Sequence, residues 1–432
     1  MVPYEHLSVS ANNHLIIGGK DTLELAKEYG TPLYVMDESY IRAACRRYVA
    51  AIKTHYNGKG LAAFASKAFC CKAMCKIAAE EGLALDVVSG GELFTALQAG
   101  FPTGRMLFHG NNKPAGELEF AITSGVGRIV ADNINELELI NKIAVTCGKR
   151  QAVQLRITPG VEAHTHDYVR TGQTDSKFGF ALQTGEAMRA AQAAAGMPGL
   201  KLVGIHCHIG SQILDVEPFM LAAEIMTGFI ADARDNHSIT IEELNLGGGF
   251  GIRYTAVDNP PPHGDFLQSV ARAIDGVCSA RKLPLPFIYI EPGRSVVAPT
   301  GITLYTVGAI KEIPGIRTYL SVDGGMADNP RYALYGSQYE MLIANKAGAE
   351  KTRQYTVAGR CCESGDLLGK DVPLQEAAAG DILAVLATGA YNYSMSSNYN
   401  RLLKPAVVFV NNGSVRIAVK RQTYEDLIHS DE

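Results

Sequence analysis

Between about residue 60 and residue 291 the chain alternates eight short apolar runs with longer helix-type segments, and no other feature constrains the fold as tightly. The runs are Leu61–Ala65, Ala84–Val88, Arg105–Phe108, Arg128–Ala131, Ala152–Ile157, Leu202–His208, Glu243–Leu246 and Phe287–Ile290. Helix formers fill the intervals, as in Lys72–Glu81, Gly91–Ala99, Ile134–Val145, Gly185–Ala194, Glu217–Ala233 and Asp265–Ala280. Ser89 with Glu92 three residues on predicts a capping box at one helix start. Strands that are apolar almost throughout are buried on both faces, which fits a closed (β/α)8 TIM-type barrel better than an open sheet. A doubly wound sheet would carry G-x-G-x-x-G after its first strand. Here the cluster Gly247-Gly248-Gly249-Phe250-Gly251 follows the seventh run.

After Glu291 the texture changes to β-branched or alternating runs between Gly, Pro and Asn turns: Ser295–Ile310, Thr318–Val322, Gln354–Val357, Asp381–Ala387, Pro405–Val410 and Val415–Val419. This predicts a largely antiparallel β-domain. The opening segment, with Leu15-Ile16-Ile17-Gly18-Gly19 and a short helix before Pro32, is too small to fold alone. The expected division is a barrel over residues 36–292 and a β-domain built from 1–35 and 293–432.

A chain of 432 residues accommodates both domains. Its 47% apolar and 19% charged residues are ordinary for a globular protein, and a net charge of −4 offers no footprint for nucleic acid. No apolar run reaches membrane-spanning length and no signal peptide is visible, so no membrane partner is expected. Nine cysteines without a small-scaffold framework point to free thiols in a reducing, cytoplasmic setting. Cys45, Cys70, Cys71, Cys75 and Cys147 lack paired CxxC spacing and read as small core residues, and the loop pair His164 and His166 reads as polar loop chemistry. No metal site is expected.

Working residues of such a barrel sit at the C-terminal ends of its strands. Lys67 ends the first run, in Phe64-Ala65-Ser66-Lys67-Ala68, where a buried ammonium has little packing value. It makes sense if the amine does chemistry, for instance as a Schiff base with a carbonyl cofactor such as pyridoxal phosphate. The other strand ends supply Asp86, His109-Gly110-Asn111-Asn112-Lys113, Arg156, His206-Cys207-His208-Ile209-Gly210-Ser211, the triple glycine, and Glu291-Pro292-Gly293-Arg294. The triple glycine is either a structural turn or a phosphate cradle completed by Gly293 and Arg294. Glu291 either pairs with Arg294 or faces a ring nitrogen and keeps it protonated. His208 either is a satisfied core histidine or stacks on a flat cofactor. Two further loops, Gly359–Asp366 with its Cys362-Glu363 pair and Gly389–Asn400, are candidates for substrate contact.

In chain order the motifs FASKA, LDVVSGGEL, HGNNK, SKFGF, GIHCHIGSQ, LNLGGGFGI, EPGRSVV, DGGMADNPRYALYG, CCESGD and GAYNYSMSSNYN are all present. Over almost its whole length the chain resembles the fold-type III pyridoxal-phosphate-dependent decarboxylases. CESGD with the GAY–SMSSNYN loop points within them to the branch acting on diaminopimelate. The resemblance implies an alanine racemase-like architecture and decarboxylation of meso-diaminopimelate to L-lysine and CO2, the last step of lysine biosynthesis. It implies that Lys67 carries the cofactor, His208 stacks on its ring and Glu291 holds its nitrogen. Asp86, Ser211, Gly248, Gly249, Gly293, Arg294 and Tyr391 would surround the cofactor. Arg294, Arg331 and Tyr335 would hold the substrate's distal carboxylate and Glu363 its distal ammonium, with Tyr391 also among the substrate contacts. Cys362 joins the catalytic set, and in this family it and Glu363 come from the neighbouring subunit, which implies a homodimer. The chain departs from the family at Arg360 and Tyr332, where prolines are frequent. Alternatives are relatives acting on ornithine, arginine or carboxynorspermidine, or a non-catalytic cofactor-binding relative; the latter would be expected to lose Lys67, Glu291 or Cys362.

Overall fold

In a computed structural model, described over residues 3–161 and 176–432, the chain divides into two compact units. His164 and His166 lie outside the described residues. One unit comprises Cys45–Gly251 and Pro260–Gly293; the other comprises Met1–Ala44, Ile252–Asn259 and Arg294–Glu432.

The first unit is a closed parallel barrel of eight strands. They are β1 (Gly60–Ala65), β2 (Ala84–Val87), β3 (Met106–Phe108), β4 (Arg128–Ala131), β5 (Gln151–Thr158), β6 (Leu200–His206), β7 (Glu243–Asn245) and β8 (Phe287–Ile290). Each pairs in parallel with the next, and Ile288, Tyr289 and Ile290 of β8 register with Gly60, Leu61 and Ala62 of β1 to close the ring. The strands are apolar because helices cover their outer faces. Amphipathic segments such as Lys72–Glu80, Glu217–His237 and His263–Arg281 bury one side each, for example through Met74 and Ile77 in the first. β6 ends at His206, two residues before the expected end, so His208 lies in the following loop.

The capping expectation at Ser89 is half met. The Ser89 hydroxyl accepts the Glu92 amide at 3.2 Å, as an N-cap should. The Glu92 carboxylate does not close the box. It accepts the Val88 amide at 2.8 Å and the Ser66 hydroxyl instead, since both converge on the same oxygen.

The second unit is built on a nine-stranded sheet whose main path runs Leu367–Leu374, Arg353–Ala358, Arg317–Val322, Gly301–Ile313, Leu33–Asp37, Ala406–Asn411 and Ser414–Val419. Most pairs are antiparallel; Leu33–Asp37 beside Ala406–Asn411, and Arg317–Val322 beside Arg353–Ala358, are parallel. Two apolar clusters form its core, one around Leu25, Val35, Leu304 and Val408, the other around Tyr305, Leu320, Tyr355 and Leu383. The expected strand Ser295–Ile310 is corrected at its start. Arg294–Val297 forms one turn of helix and the strand begins at Gly301. All four residues of that turn are buried, so packing overrides the β preference of Ser295-Val296-Val297. Among the described residues no helix is long and apolar enough to cross a membrane.

Candidate active site

At the C-terminal mouth of the barrel the turn after β1, Ser66–Ala68, presents Lys67. Ser66 tethers this turn by donating to the Asp86 carbonyl at 2.7 Å and to Glu92. The Lys67 side chain is 42% exposed, and its amine lies 3.2 Å from a carboxylate oxygen of fully buried Asp86. A buried acid beside a half-open amine holds that amine at one place while leaving it reachable.

Opposite stands Glu291, just past β8 and buried. One of its oxygens accepts the Asn245 amide at 2.7 Å, and His109 Nε2 lies 2.8 Å from the same atom. The other oxygen lies 3.3 Å from His206 Nε2. Burial alone would push this carboxyl up; the two imidazoles outweigh it and hold the group well below the usual carboxylate range. Burial lowers His206 to about 4, so a neutral ring donates to a charged carboxylate. Asn245 cannot turn away, because its oxygen accepts the Gly247 amide at 3.0 Å. The network continues down the barrel: Asn245 donates to Gln154 at 3.2 Å, Gln154 to Glu243 at 2.8 Å, and Arg128 grips Glu243 at 2.6 Å.

His208 is half-buried, and its Nδ1 accepts the Gly248 amide at 3.3 Å. Burial first, then the Lys67 and Arg156 charges, hold it well below its ordinary pKa, so it presents a neutral ring. The glycine turn after β7 is structurally required. A Cβ at Gly248 would sit 2.2 Å from the Glu291 carbonyl, and Gly249 has φ +108° with the Gly210 carbonyl 2.4 Å from its would-be Cβ. Ile213 and Phe250 bridge the loops after β6 and β7, with the Ile213 amide donating to Gly249 at 3.0 Å. That bridge brings Ser211 alongside the glycines. Gly293 closes against Ala65 and Ala68, next to the Lys67 turn.

In the second unit Arg294, Arg331, Tyr335 and Tyr391 also come together. The Arg294 and Arg331 guanidinium carbons lie 4.8 and 5.2 Å from the centre of the Tyr391 ring, and Arg331 lies 5.1 Å from that of Tyr335. Arg294 donates to the Tyr254 hydroxyl at 2.5 Å. Tyr391 holds φ +68°, a strained backbone for a side-chain-bearing residue that the packing of two cations on its ring explains. Arg331 is buried, its Nε has no hydrogen-bond partner, and it forms no ion pair among the described residues. A desolvated cation in that state is a ready acceptor for an anion. Cys362 and Glu363 are exposed in the single chain, with the Cys362 amide donating to Asn400 at 2.7 Å.

The expected residues of the barrel therefore converge on one mouth, and the expected arginine and tyrosine residues of the second unit converge on one another. Sequence reasoning assigned no role to His109, His206, Asn245 or Tyr254. His109 opens HGNNK, and His206 stands in GIHCHIGSQ, where a second histidine competed for attention. Asn245 precedes the glycine cluster, and only its bond to Glu291 marks it. His109, His206 and Glu291 bring three metal-type donors within 4.8 Å of one another, yet the hydrogen bonds of His206 and Asn245 to the Glu291 carboxylate suit an acid that faces a ring nitrogen. A linking amine, an ionised acid across the mouth, a neutral imidazole and a glycine-lined loop pair fit pyridoxal phosphate.

The sequence profile of the family described as "Pyridoxal-dependent decarboxylase, pyridoxal binding domain" matches residues 39–298. Diaminopimelate decarboxylase of Bacillus subtilis (strain 168) is 50% identical over 420 residues, covering 97% of this chain and 95% of that protein. The crystal structure of diaminopimelate decarboxylase from M. jannaschii with L-lysine superposes with a TM-score of 0.91 at 35% identity, covering 100% of this chain and 99% of that one. The corresponding Helicobacter pylori structure, also with L-lysine, gives a TM-score of 0.87 at 31% identity over 95% of this chain and 98% of that one.

Proposed function

The chain belongs to the diaminopimelate decarboxylases of the pyridoxal-dependent decarboxylase family, and from that membership we infer that it removes CO2 from meso-diaminopimelate to give L-lysine. Pyridoxal phosphate is its cofactor. The observation that carries this reading is the barrel-mouth set from Lys67 to Glu291, and the buried Arg331, which forms no ion pair among the described residues, supports it.

Bound to an amino acid's nitrogen, pyridoxal phosphate supplies a ring that takes up the electron pair left when CO2 departs. Lys67 would hold the cofactor's aldehyde carbon and, displaced by substrate, stays within reach because Asp86 restrains it. Glu291 would keep a proton on the ring nitrogen, and Asn245 and His206 hold the carboxylate for that task. His208 would stack on the ring, while Ser211, Gly248, Gly249, Gly293 and Arg294 would hold the phosphate. Arg294, Arg331 and Tyr335 anchor the distal carboxylate, and the Tyr391 ring packs on both arginines. Glu363 takes the distal ammonium, and Cys362 or Lys67 returns a proton to the α-carbon. Anchored at its far end by these residues, the substrate would have its scissile carboxylate held in one orientation, so remote binding energy would serve the reaction. Cys362 and Glu363 are contributed by the other subunit of a homodimer. Free thiols throughout suit a cytoplasmic enzyme.

Purified protein given meso-diaminopimelate, ornithine and arginine should release CO2 from the first and form L-lysine. Brisk release from ornithine with none from diaminopimelate would reject this assignment.

A further inference from the structure

Asp366 ends the CCESGD motif, yet its side chain faces inward and is 3% exposed. Its two carboxylate oxygens are divided between two loops. One accepts the Met326 amide at 2.6 Å, in the segment leading to Arg331; the other accepts the Cys361 amide at 2.6 Å, next to Cys362. The backbone follows the same pattern. The Gly359 amide donates to the Asp366 carbonyl at 2.9 Å, the Asp366 amide to the Glu363 carbonyl at 3.1 Å, and the Arg360 amide to the Gly324 carbonyl at 2.9 Å. A third loop is drawn in by Ser397 to Ala327 at 2.8 Å and Cys362 to Asn400 at 2.7 Å.

Two glycines show that this carboxylate is the fixed point. A Cβ at Gly325 or at Gly359 would lie 2.4 or 2.3 Å from an Asp366 oxygen, so both loops give up a side chain to approach it. An ionised acid accepting one backbone amide from each loop is a charge-assisted tie, stronger than a neutral one.

We propose that Asp366 is a positioning residue that sets the Cys362-Glu363 pair and the Met326–Arg331 segment at a fixed spacing, so that one buried carboxylate ties the distal-carboxylate segment of its own subunit's site to the Cys362-Glu363 pair that the same chain lends to the other subunit's site. This rests on the functional reading above and deepens it: Asp366 touches no substrate, but the groups assigned to the distal ammonium and carboxylate are held through it. An amide in its place presents N–H to one of the two donors, so Asp366→Asn must release one loop while keeping the volume.

The test uses the holoenzyme of Asp366→Asn. Cofactor absorbance should match the wild type, because Lys67, Asp86 and Glu291 belong to the barrel, while kcat/KM for meso-diaminopimelate falls about 100-fold, carried mostly by KM. Amide exchange at Met326 and Cys361 should speed up, with barrel amides unchanged. Gly359→Ala, which drives a methyl into the carboxylate without removing its charge, should reproduce both effects and serves if the first variant does not fold. A folded variant with wild-type KM, kcat and exchange overturns the proposal, as does loss of the cofactor band together with activity. Failure of the wild type to act on diaminopimelate overturns the functional reading instead, and the exchange measurement then still judges Asp366.

Discussion

Asn245 donates its side-chain amide to Glu291 at 2.7 Å while its oxygen is held by the Gly247 amide at 3.0 Å. The amide cannot flip without losing both bonds, so Glu291 faces a fixed donor and a fixed polarity. Asn245→Asp replaces that donor with a second buried acid. Two carboxylates at this distance share a proton, so Glu291 would lose its role as an anion. We expect kcat to fall on the order of 100-fold and its pH profile to steepen toward high pH, measured by initial rates across pH 6 to 9. An unchanged profile would separate Asn245 from the action of Glu291.

Arg331 carries a buried charge that forms no ion pair among the described residues, which is costly for the fold and useful for an anionic ligand. Arg331→Met should therefore leave the melting temperature equal or higher while raising KM for meso-diaminopimelate at least tenfold, the range expected for a lost charge-assisted contact. A variant that melts lower with unchanged KM would mark the arginine as structural.

Asp328 is buried among Tyr305, the Gly325 amide, Asp366 and Asp323, and burial, with the neighbouring acids adding, raises its carboxyl to about 7. Its folded value lies above the unfolded one, so the stability this group retains is complete below the unfolded value and is lost as pH rises through about 7. Both recorded bonds, from Tyr305 at 2.6 Å and Gly325 at 3.1 Å, go to one oxygen, so Asp328→Asn keeps them and removes the charge. The variant should be more stable than the wild type by on the order of a few kcal/mol above pH 7, with the gap gone by about pH 4. Urea unfolding at several pH values checks this. A gap that does not change with pH would mean Asp328 is ionised throughout.

Cys362 and Glu363 are exposed in the single chain although their motif is assigned to catalysis. Lys67→Ala and Cys362→Ala should each be inactive or nearly so alone. Refolded together in equal amounts they should regain about one quarter of wild-type activity, because half the dimers are mixed and each carries one intact site. No recovery would place both residues in the same subunit's site.

Much of this was legible in the chain itself. The eight apolar runs specify a barrel because strands buried on both faces need apolar residues at every position, and that pattern is local. Lys67 and Glu291 stood out because a charge at the end of such a strand has no packing reason to be there. Other features were not. The strand Leu33–Asp37 went unnoticed, since its partners are Gly301–Leu304 and Ala406–Val410, hundreds of residues away. In His206-Cys207-His208 the alternation of strand faces puts both histidines on the same side, so periodicity alone cannot choose between them. The register of β6 with β7 and the end of the strand at His206 make His206 the partner of Glu291 and leave His208 in the loop against Gly248. Asp366 is the same case: its sequence neighbours say only that it closes a turn, and its two amide partners come from segments that only folding brings together. Burial pattern and residue chemistry are properties of a stretch of chain, whereas the partner of a hydrogen bond is decided by which distant stretches pack against it.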